Sequence, residues 1–300
     1  MPEIPSPSTP LRVAVVGGGK IGSTFAFQLA RAGHNVSVIA RPGSPRIRQL
    51  LRDNGIVNVR GERATVQVMY ALDETILYDL VIVTVLAFQV DSVLPALVRS
   101  AARCIQFTFV TFEPERLRDI IGADRCAFGM PGVQANLDPD GRLKATLGGP
   151  QKTLLSQQRW VDVFNAAGIP ATLEIDMPLW LRCHAPLCVA FESVAVAGQQ
   201  RGGGASWREA AKIARGLHEG FALVRGLGFQ IYPKAKVRLN GLPVWMVTAM
   251  LWMFSRVRSM RELLATGKNE CRALVDVMVA AALEADKPVR VPRIQAMKPS

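Results

Sequence analysis

The stretch Val13-Ala14-Val15-Val16-Gly17-Gly18-Gly19-Lys20-Ile21-Gly22, followed by Val36-Ser37-Val38-Ile39-Ala40-Arg41, decides how this chain is read. Leu11–Val16 is a short apolar run rich in β-branched residues that ends in glycines, which reads as a buried strand. Ile21–Ala32 reads as a helix closed by Gly33. Val36–Ala40 is a second buried strand. Strand, glycine turn, helix and strand over residues 11–41 make a β-α-β unit.

The turn Gly17-Gly18-Gly19-Lys20-Ile21-Gly22 satisfies the spacing G-x-G-x-x-G. Gly17 permits the tight turn, Gly19 lets a pyrophosphate approach the backbone, and Gly22 lets the helix pack against the strand. The amides opening the helix, with Lys20 and Ile21 among them, present free N–H groups and a positive dipole end to an anion. Such a pattern alone is weak. Here it follows a strand, opens a helix and precedes a second strand at the right distance. The alternative is a glycine-rich turn that binds nothing.

The end of the second strand selects the cofactor. An NAD site carries an Asp or Glu there for the ribose 2′-hydroxyl. This chain has Ile39-Ala40-Arg41-Pro42-Gly43 instead. Arg41 suits a 2′-phosphate, which points to NADP. Arg46 and Arg48 are close enough in sequence to assist. The alternative for Arg41 is a solvated surface arginine.

Outward from this unit the alternation continues. Thr65–Tyr70, Leu80–Val85, Cys104–Phe112, Cys126–Gly129 and Leu143–Leu147 read as strands, and Pro114–Ile121 as a short helix. Leu80–Val85 is almost wholly apolar, as in a strand covered on both faces. From about residue 178 the pattern is helical: Pro178 to about Ala197, Trp207–Leu227, Pro243–Arg256 and Lys268–Ala285. The fold class is therefore α/β, an N-terminal Rossmann-type parallel-sheet domain over residues 11–175 followed by an all-helical domain over 176–300. Residues 1–10, rich in Pro and Ser, read as a flexible tail without the apolar core of a signal peptide.

With 300 residues, 49% hydrophobic and 20% charged, the chain can bury two cores of ordinary size. The formal charge of +12 raises nucleic acid as a partner. The cations are dispersed and no nucleic-acid-binding signature accompanies them, so nucleic acid is not expected. The five cysteines are odd in number and lack close pairs, against a disulfide framework and for a reducing cytoplasm. Cys183 and Cys188 alone make no zinc motif, and no metal site is expected. Leu242–Phe254 is the most apolar stretch and is short for a bilayer span, which takes ~20 residues. Stable membrane insertion is not expected. A core helix, a homodimer interface through the helical domain and a membrane-surface contact are its three open uses.

The chain resembles the ketopantoate reductase (2-dehydropantoate 2-reductase) family over about residues 11–297. The marks are Val13–Arg41, the segment Val83-Thr84-Val85-Leu86-Ala87-Phe88-Gln89, Glu115-Arg116-Leu117 with Ile120-Ile121-Gly122, Leu179-Trp180, Ser259-Met260, and Glu270 with Pro288 downstream. The resemblance implies a Rossmann domain, a helical domain, NADPH as cofactor, and hydride transfer to a small-molecule carbonyl such as a 2-oxo acid. Gly17, Gly19 and Gly22 match the family's phosphate turn, and Arg41 its 2′-phosphate ligand. Gln89 matches a glutamine in a strand-end loop, and Glu270 a glutamate that reaches the cofactor's ribose from the helical domain.

The family's polar substrate positions are not kept. Its proton-donating lysine falls at Arg182, the two asparagines that follow at Pro186 and Ala190, the loop lysine at Leu86 and a further asparagine at Phe109. A lysine can release its proton, whereas arginine stays protonated. Arg182 is expected to stabilise an oxyanion or hold a carboxylate, or to serve as a structural ion-pair partner. His184, Cys188 and Glu192 are spaced four apart on one helical stripe unless Pro186 disturbs it. His184 is the candidate general acid near neutral pH. Glu192 is a candidate on a par with His184, Tyr232 is a weaker one, and His34 and His218 read as structural. Leu86, Phe109 and Phe112 imply a more apolar substrate than ketopantoate. A different class of function, an NADP-binding sensor or interaction protein without turnover, fits the same losses.

Overall fold

The computed structural model describes residues 9–149 and 151–299. Of the tail expected over residues 1–10, residues 1–8 lie outside the described residues. The chain separates into two compact units: residues up to Phe109 with Arg116–Met177, and Val110–Glu115 with Pro178 onward.

In the first unit the strands are β1 (Arg12–Val16), β2 (Asn35–Ile39), β3 (Ile56–Val57), β4 (Arg63–Ala64), β5 (Gln67–Met69), β6 (Leu80–Val83), β7 (Ile105–Thr108), β8 (Cys126–Met130), β9 (Gln134–Leu137), β10 (Leu143–Thr146), β11 (Thr153–Leu155) and β12 (Ala171–Leu173). Eight of them form one sheet in the order β5-β2-β1-β6-β7-β8-β11-β12, parallel throughout except for the β8–β11 pair. The chain adds strands outward from β1 through β2 to β5, then returns to the other side of β1 with β6. That reversal is the topological switch point of a doubly wound sheet, where ligands bind beyond the strand ends. The pairs β9–β10 and β3–β4 are small antiparallel ribbons outside the sheet.

Helix α1 (Lys20–Arg31) crosses from β1 to β2. Phe25, Ala26 and Leu29 are fully buried in the core that also holds Val13, Val15, Val38, Leu80 and Ile82. Phe25 meets Phe164 of α5 (Gln158–Ala166) edge to face, with ring centroids 5.2 Å apart. The unit's other helices are α2 (Pro45–Arg52) and α3 (Leu94–Arg99), together with most of α4 (Pro114–Ile121). Helix α2 is capped by Ser44, whose Oγ accepts the Ile47 N–H at 3.3 Å, with Pro45 in the first turn.

The second unit holds α6 (Met177–Gln200), α7 (Trp207–Gly226), α8 (Lys234–Asn240), α9 (Val244–Phe254), α10 (Arg258–Leu264), α11 (Lys268–Ala281) and α12 (Val291–Gln295). Helix α7 opens with a capping box: Ser206 Oγ accepts the Glu209 N–H, and Glu209 Oε2 accepts the Ser206 N–H at 2.7 Å. Helix α6 runs through Pro186 without ending. The proline packs against Gly220 of α7, where any Cβ would stand 2.7 Å from the Pro186 Cβ. Helix α6 is the one described helix long and apolar enough to cross a membrane, and 67% of its apolar window is buried inside the protein.

The sequence marked the longer elements, and the differences have local causes. Cys104–Phe112 reads as one strand, yet β7 ends at Thr108 and Val110–Glu115 belongs with the second unit. Phe109, Val110 and Phe112 are all buried, so apolarity continues where the strand stops. The short elements β3, β4, β9, β11, β12, α3, α5, α8, α10 and α12 carry no periodic stripe that the sequence alone reveals. Helix α2 was missed because only Ile47 and Leu50 are buried among its arginines.

Candidate active site

The glycine turn lies between the ends of β1 and β6. Gly17 has φ +111°, where an L side chain is strained, and its N–H donates to the Ile39 carbonyl at 3.0 Å. A Cβ on Gly22 would stand 1.9 Å from the Gly17 carbonyl oxygen and 2.5 Å from Thr84 Oγ1. Thr84, at the end of β6, donates to that same carbonyl at 2.9 Å and locks the turn to the switch point. Gly19 is different: a Cβ there meets nothing within 4 Å. Its need for glycine is therefore not set by the protein's own packing. Helix α1 begins at this open position with no side-chain cap and no acid in its first turn. Unpaired amides and a positive dipole end beside open backbone fit a pyrophosphate.

Arg46 sits behind the turn. Its Nε donates to the Gly18 carbonyl (3.0 Å), and its terminal nitrogens to Ser23 Oγ (2.6 Å), Gln49 Oε1 (2.7 Å) and the Gly141 carbonyl (2.9 Å). Burial lowers its pKa to about 10, so it remains a cation. This corrects the expectation that Arg46 assists a 2′-phosphate, because its donors are spent on fixing the turn. Arg48 is exposed and donates to Gly43 O at 2.7 Å. Arg41, just beyond β2, is exposed, and among the described residues its guanidinium has no partner. Gln89 lies in the short 3-10 helix Ala87–Ser92, where its Oε1 accepts the Leu86 N–H at 3.2 Å. Leu86 is 40% exposed, and Phe109 is buried edge-on against Phe107 with ring centroids 5.9 Å apart.

In the second unit, Arg182 is buried on α6. It pairs with Glu115 of α4, and its guanidinium carbon lies 4.0 Å from the Phe229 ring centroid and 5.6 Å from that of the buried Phe112. Its Nε is buried without a hydrogen-bond partner among the described residues. The structural ion pair foreseen as one reading of Arg182 is therefore present.

His184 stacks on Trp180 one turn earlier, with ring centroids 4.3 Å apart. Burial, helped by the charge of Lys236, lowers its pKa to about 3. That corrects the expectation of a general acid near neutral pH: the imidazole is neutral there, and its Nδ1 has no partner among the described residues. The expected stripe of His184, Cys188 and Glu192 exists, since α6 stays helical through Pro186.

Glu192 Oε2 accepts a hydrogen bond from Cys271 Sγ at 2.8 Å and lies against Gly267, where a Cβ would meet it at 2.5 Å. Burial raises its pKa to about 8, with Glu270 adding repulsion, and burial raises Glu270 to about 7. Two carboxyl groups near Gly267 thus hold protons more readily than free ones. Tyr232, the weaker candidate, donates its backbone N–H to Cys183 Sγ at 3.4 Å. His34 accepts the Leu11 N–H at 3.3 Å, the structural role read from sequence.

Sequence reasoning missed Lys236. Its Nζ is buried, donates to the Trp180 carbonyl at 2.8 Å and stands 3.9 Å from the Trp180 ring centroid. It brings an ammonium beside His184, two residues from the position at which the family's lysine falls. Nothing in the sequence around α8 separates this lysine from its exposed neighbours Lys234 and Arg238.

A doubly wound sheet with an open glycine turn at its switch point defines a Rossmann-type dinucleotide-binding domain. Residues 13–159 match the model of the family described as ketopantoate reductase PanE/ApbA. Over these residues the chain is similar to the ketopantoate reductase family. The 2-dehydropantoate 2-reductase of Vibrio cholerae serotype O1 is 29% identical over 185 residues, which cover 57% of this chain and 58% of that protein's length. Among solved structures, a PanE/ApbA family ketopantoate reductase from Ralstonia eutropha JMP134 superposes with TM-score 0.70 at 18% identity, covering 96% of both chains. A D-mandelate dehydrogenase in ternary complex with NADH and anilino(oxo)acetate superposes with TM-score 0.67 at 14% identity, also covering 96% of both. At these identities the two structures establish the likeness of fold.

Proposed function

We propose that the protein is an NADP-dependent oxidoreductase that reduces the carbonyl of a 2-oxo acid or related compound more apolar than ketopantoate. The observation that carries the reading is Gly19: it is open where no protein atom requires a glycine, at the bare N-terminus of α1 and the switch point of the sheet. In this reading Gly17, Gly18, Gly19, Lys20, Ile21 and Gly22 hold the pyrophosphate through backbone N–H groups. Arg41 pairs with the 2′-phosphate, Gln89 lines the strand-end loop, and Glu270 reaches the ribose. The nicotinamide, when bound, supplies the hydride.

The relatives support the class. One is a 2-dehydropantoate 2-reductase and one is a dehydrogenase bound to an oxo-acid compound. The second binds NADH, so the choice of NADP here rests on Arg41 standing where an NAD site carries an acid. At the reacting carbonyl, Arg182 contributes a fixed positive charge that favours a developing oxyanion, and His184 acts as a neutral hydrogen-bond donor. A cation fixed by Glu115 has no entropy left to lose when an oxyanion forms. It offers no proton, however, so the proton comes from another group or from solvent.

The test is a titration with NADPH and NADH, followed by NADPH oxidation assays across 2-oxo acids of increasing apolarity, ketopantoate included. The reading expects tighter NADPH binding and turnover that grows with substrate apolarity. Efficient ketopantoate reduction would overturn the substrate class, and stronger NADH binding the cofactor. The engagement of Arg182 by Glu115 also favours a second reading, an NADP-binding sensor or interaction protein. Tight NADPH binding without turnover across the panel would establish it.

A further inference from the structure

Helix α9, Val244–Phe254, contains no charged residue, yet only one side of it is covered. Val247, Thr248 and Leu251 are buried, while Trp245 is 64% and Met253 58% exposed. Positions 245, 249 and 253 follow one another at helical spacing, so they form one continuous outer stripe. Trp207 of α7 extends it. Its ring meets Trp252 edge-on at 6.1 Å, and with Val244, Trp245 and Arg215 it borders a groove of about 360 Å³. A helix apolar all round is ordinarily covered all round, and among the described residues nothing covers this stripe.

The charges around the stripe select the cover. From Gly220 to Arg261 the chain has seven lysines and arginines and no Asp or Glu. The nearest acids in sequence are engaged: Glu209 by Arg201, Glu219 by Arg293 and Glu262 by Arg258. Arg208, Arg215 and Arg256 have no acidic partner among the described residues, and the Arg256 guanidinium carbon stands 3.5 Å from the Trp252 ring centroid. A second copy docked by this face would place like charges around a shared rim. An anionic bilayer surface would neutralise them while its interface takes up tryptophan and methionine. Helices α8 and α9, bent by 110° at Gly241–Pro243, are also apolar enough as a pair to satisfy the length and hydropathy of a membrane segment. A bent pair with one buried side lies on a bilayer rather than across it.

We propose that the α9 face, with Trp245 and Met253 as its apolar anchors and Arg215 and Arg256 at its rim, docks this protein reversibly on an anionic lipid surface. The experiment is flotation of the full-length protein with vesicles of phosphatidylcholine, with and without phosphatidylglycerol. Tryptophan emission is recorded in parallel, and light scattering is measured on the free protein. Binding is expected only with phosphatidylglycerol, with a blue-shifted emission and release by salt. The double variant Trp245→Ser/Met253→Ser is expected to bind at least about tenfold more weakly, and Arg215→Glu to bind more weakly with the apolar face intact. Unchanged thermal unfolding shows that each variant is folded. Failure to float with anionic vesicles would overturn the proposal. So would a stable dimer that the double variant converts to monomer, which would assign the face to a second copy.

Discussion

The start of α1 and the start of α6 are opposite ways of surrounding a helix end. At α1 the site is made of backbone. Gly17 and Gly22 are required by contacts a few ångströms away, and Gly19 is left open. The first turns of α6 are instead crowded with side chains. Arg182 is held by Glu115 between Phe112 and Phe229, His184 lies on Trp180, and Lys236 caps the Trp180 carbonyl. A backbone site survives many changes of side chain provided its glycines stay. A side-chain site is rewritten by each substitution. The contrast gives a physical reason why a glycine turn can persist in a chain whose side chains change elsewhere.

The strongest way to break this contrast is Gly22→Val. Its Cβ would collide with the Gly17 carbonyl, and backbone cannot swing aside as a side chain can. NADPH affinity should fall more than about a hundredfold, with a loss of about 1–3 kcal/mol in stability from overpacking. Fluorescence titration and thermal unfolding read the two effects; tight binding by this variant would show that the turn is not the phosphate site. The exposed Arg41 guanidinium makes no hydrogen bond or ion pair among the described residues, so Arg41→Ala should leave stability nearly unchanged. It should weaken NADPH by about 10–100-fold, the range for a hydrogen bond to a charged group, and leave NADH unaffected. Equal losses for both cofactors would remove Arg41 from the 2′-phosphate.

On the α6 side, Glu115→Gln leaves the buried Arg182 cation without its anion. Because Glu115 is partly solvated, the cost should be about 1–3 kcal/mol, below that of breaking a fully buried pair. Denaturant unfolding measures it, and an unaltered midpoint would mean that the pair contributes nothing net. The smallest expected effect is a slope. The folded pKa of Glu192, about 8, is raised above its ordinary 4.5. Its contribution is therefore fully present below 4.5 and is lost as pH rises through about 8, as the buried carboxyl ionises. Wild-type stability should decline across that window, and Glu192→Gln should flatten part of the decline. A variant with the wild-type slope would place the titration elsewhere.

Much of the region around the glycine turn was legible in the linear chain because its signals are local. A glycine spacing, a β-branched strand before it and an arginine after the next strand are all fixed by a few consecutive residues. The same locality explains the errors. Arg46 and Arg41 look alike in sequence, but only the fold turns Arg46 inward onto Gly18, Ser23 and Gly141. The boundary at Phe109–Val110 was illegible because a buried strand and the buried segment that follows it are equally apolar.

The sequence by itself determined the β-α-β unit, the glycine turn, the basic residue after β2 and the helical second half, since propensity and spacing act over neighbours in the chain. Tertiary structure decided what the charged and titratable groups do. Glu115 meets Arg182 across 67 positions, Lys236 meets Trp180 across 56 and Cys271 meets Glu192 across 79. Burial then sets the ionisation of His184, Glu192 and Glu270. Desolvation and long-range pairing depend on which distant segments pack together, and no local pattern encodes that.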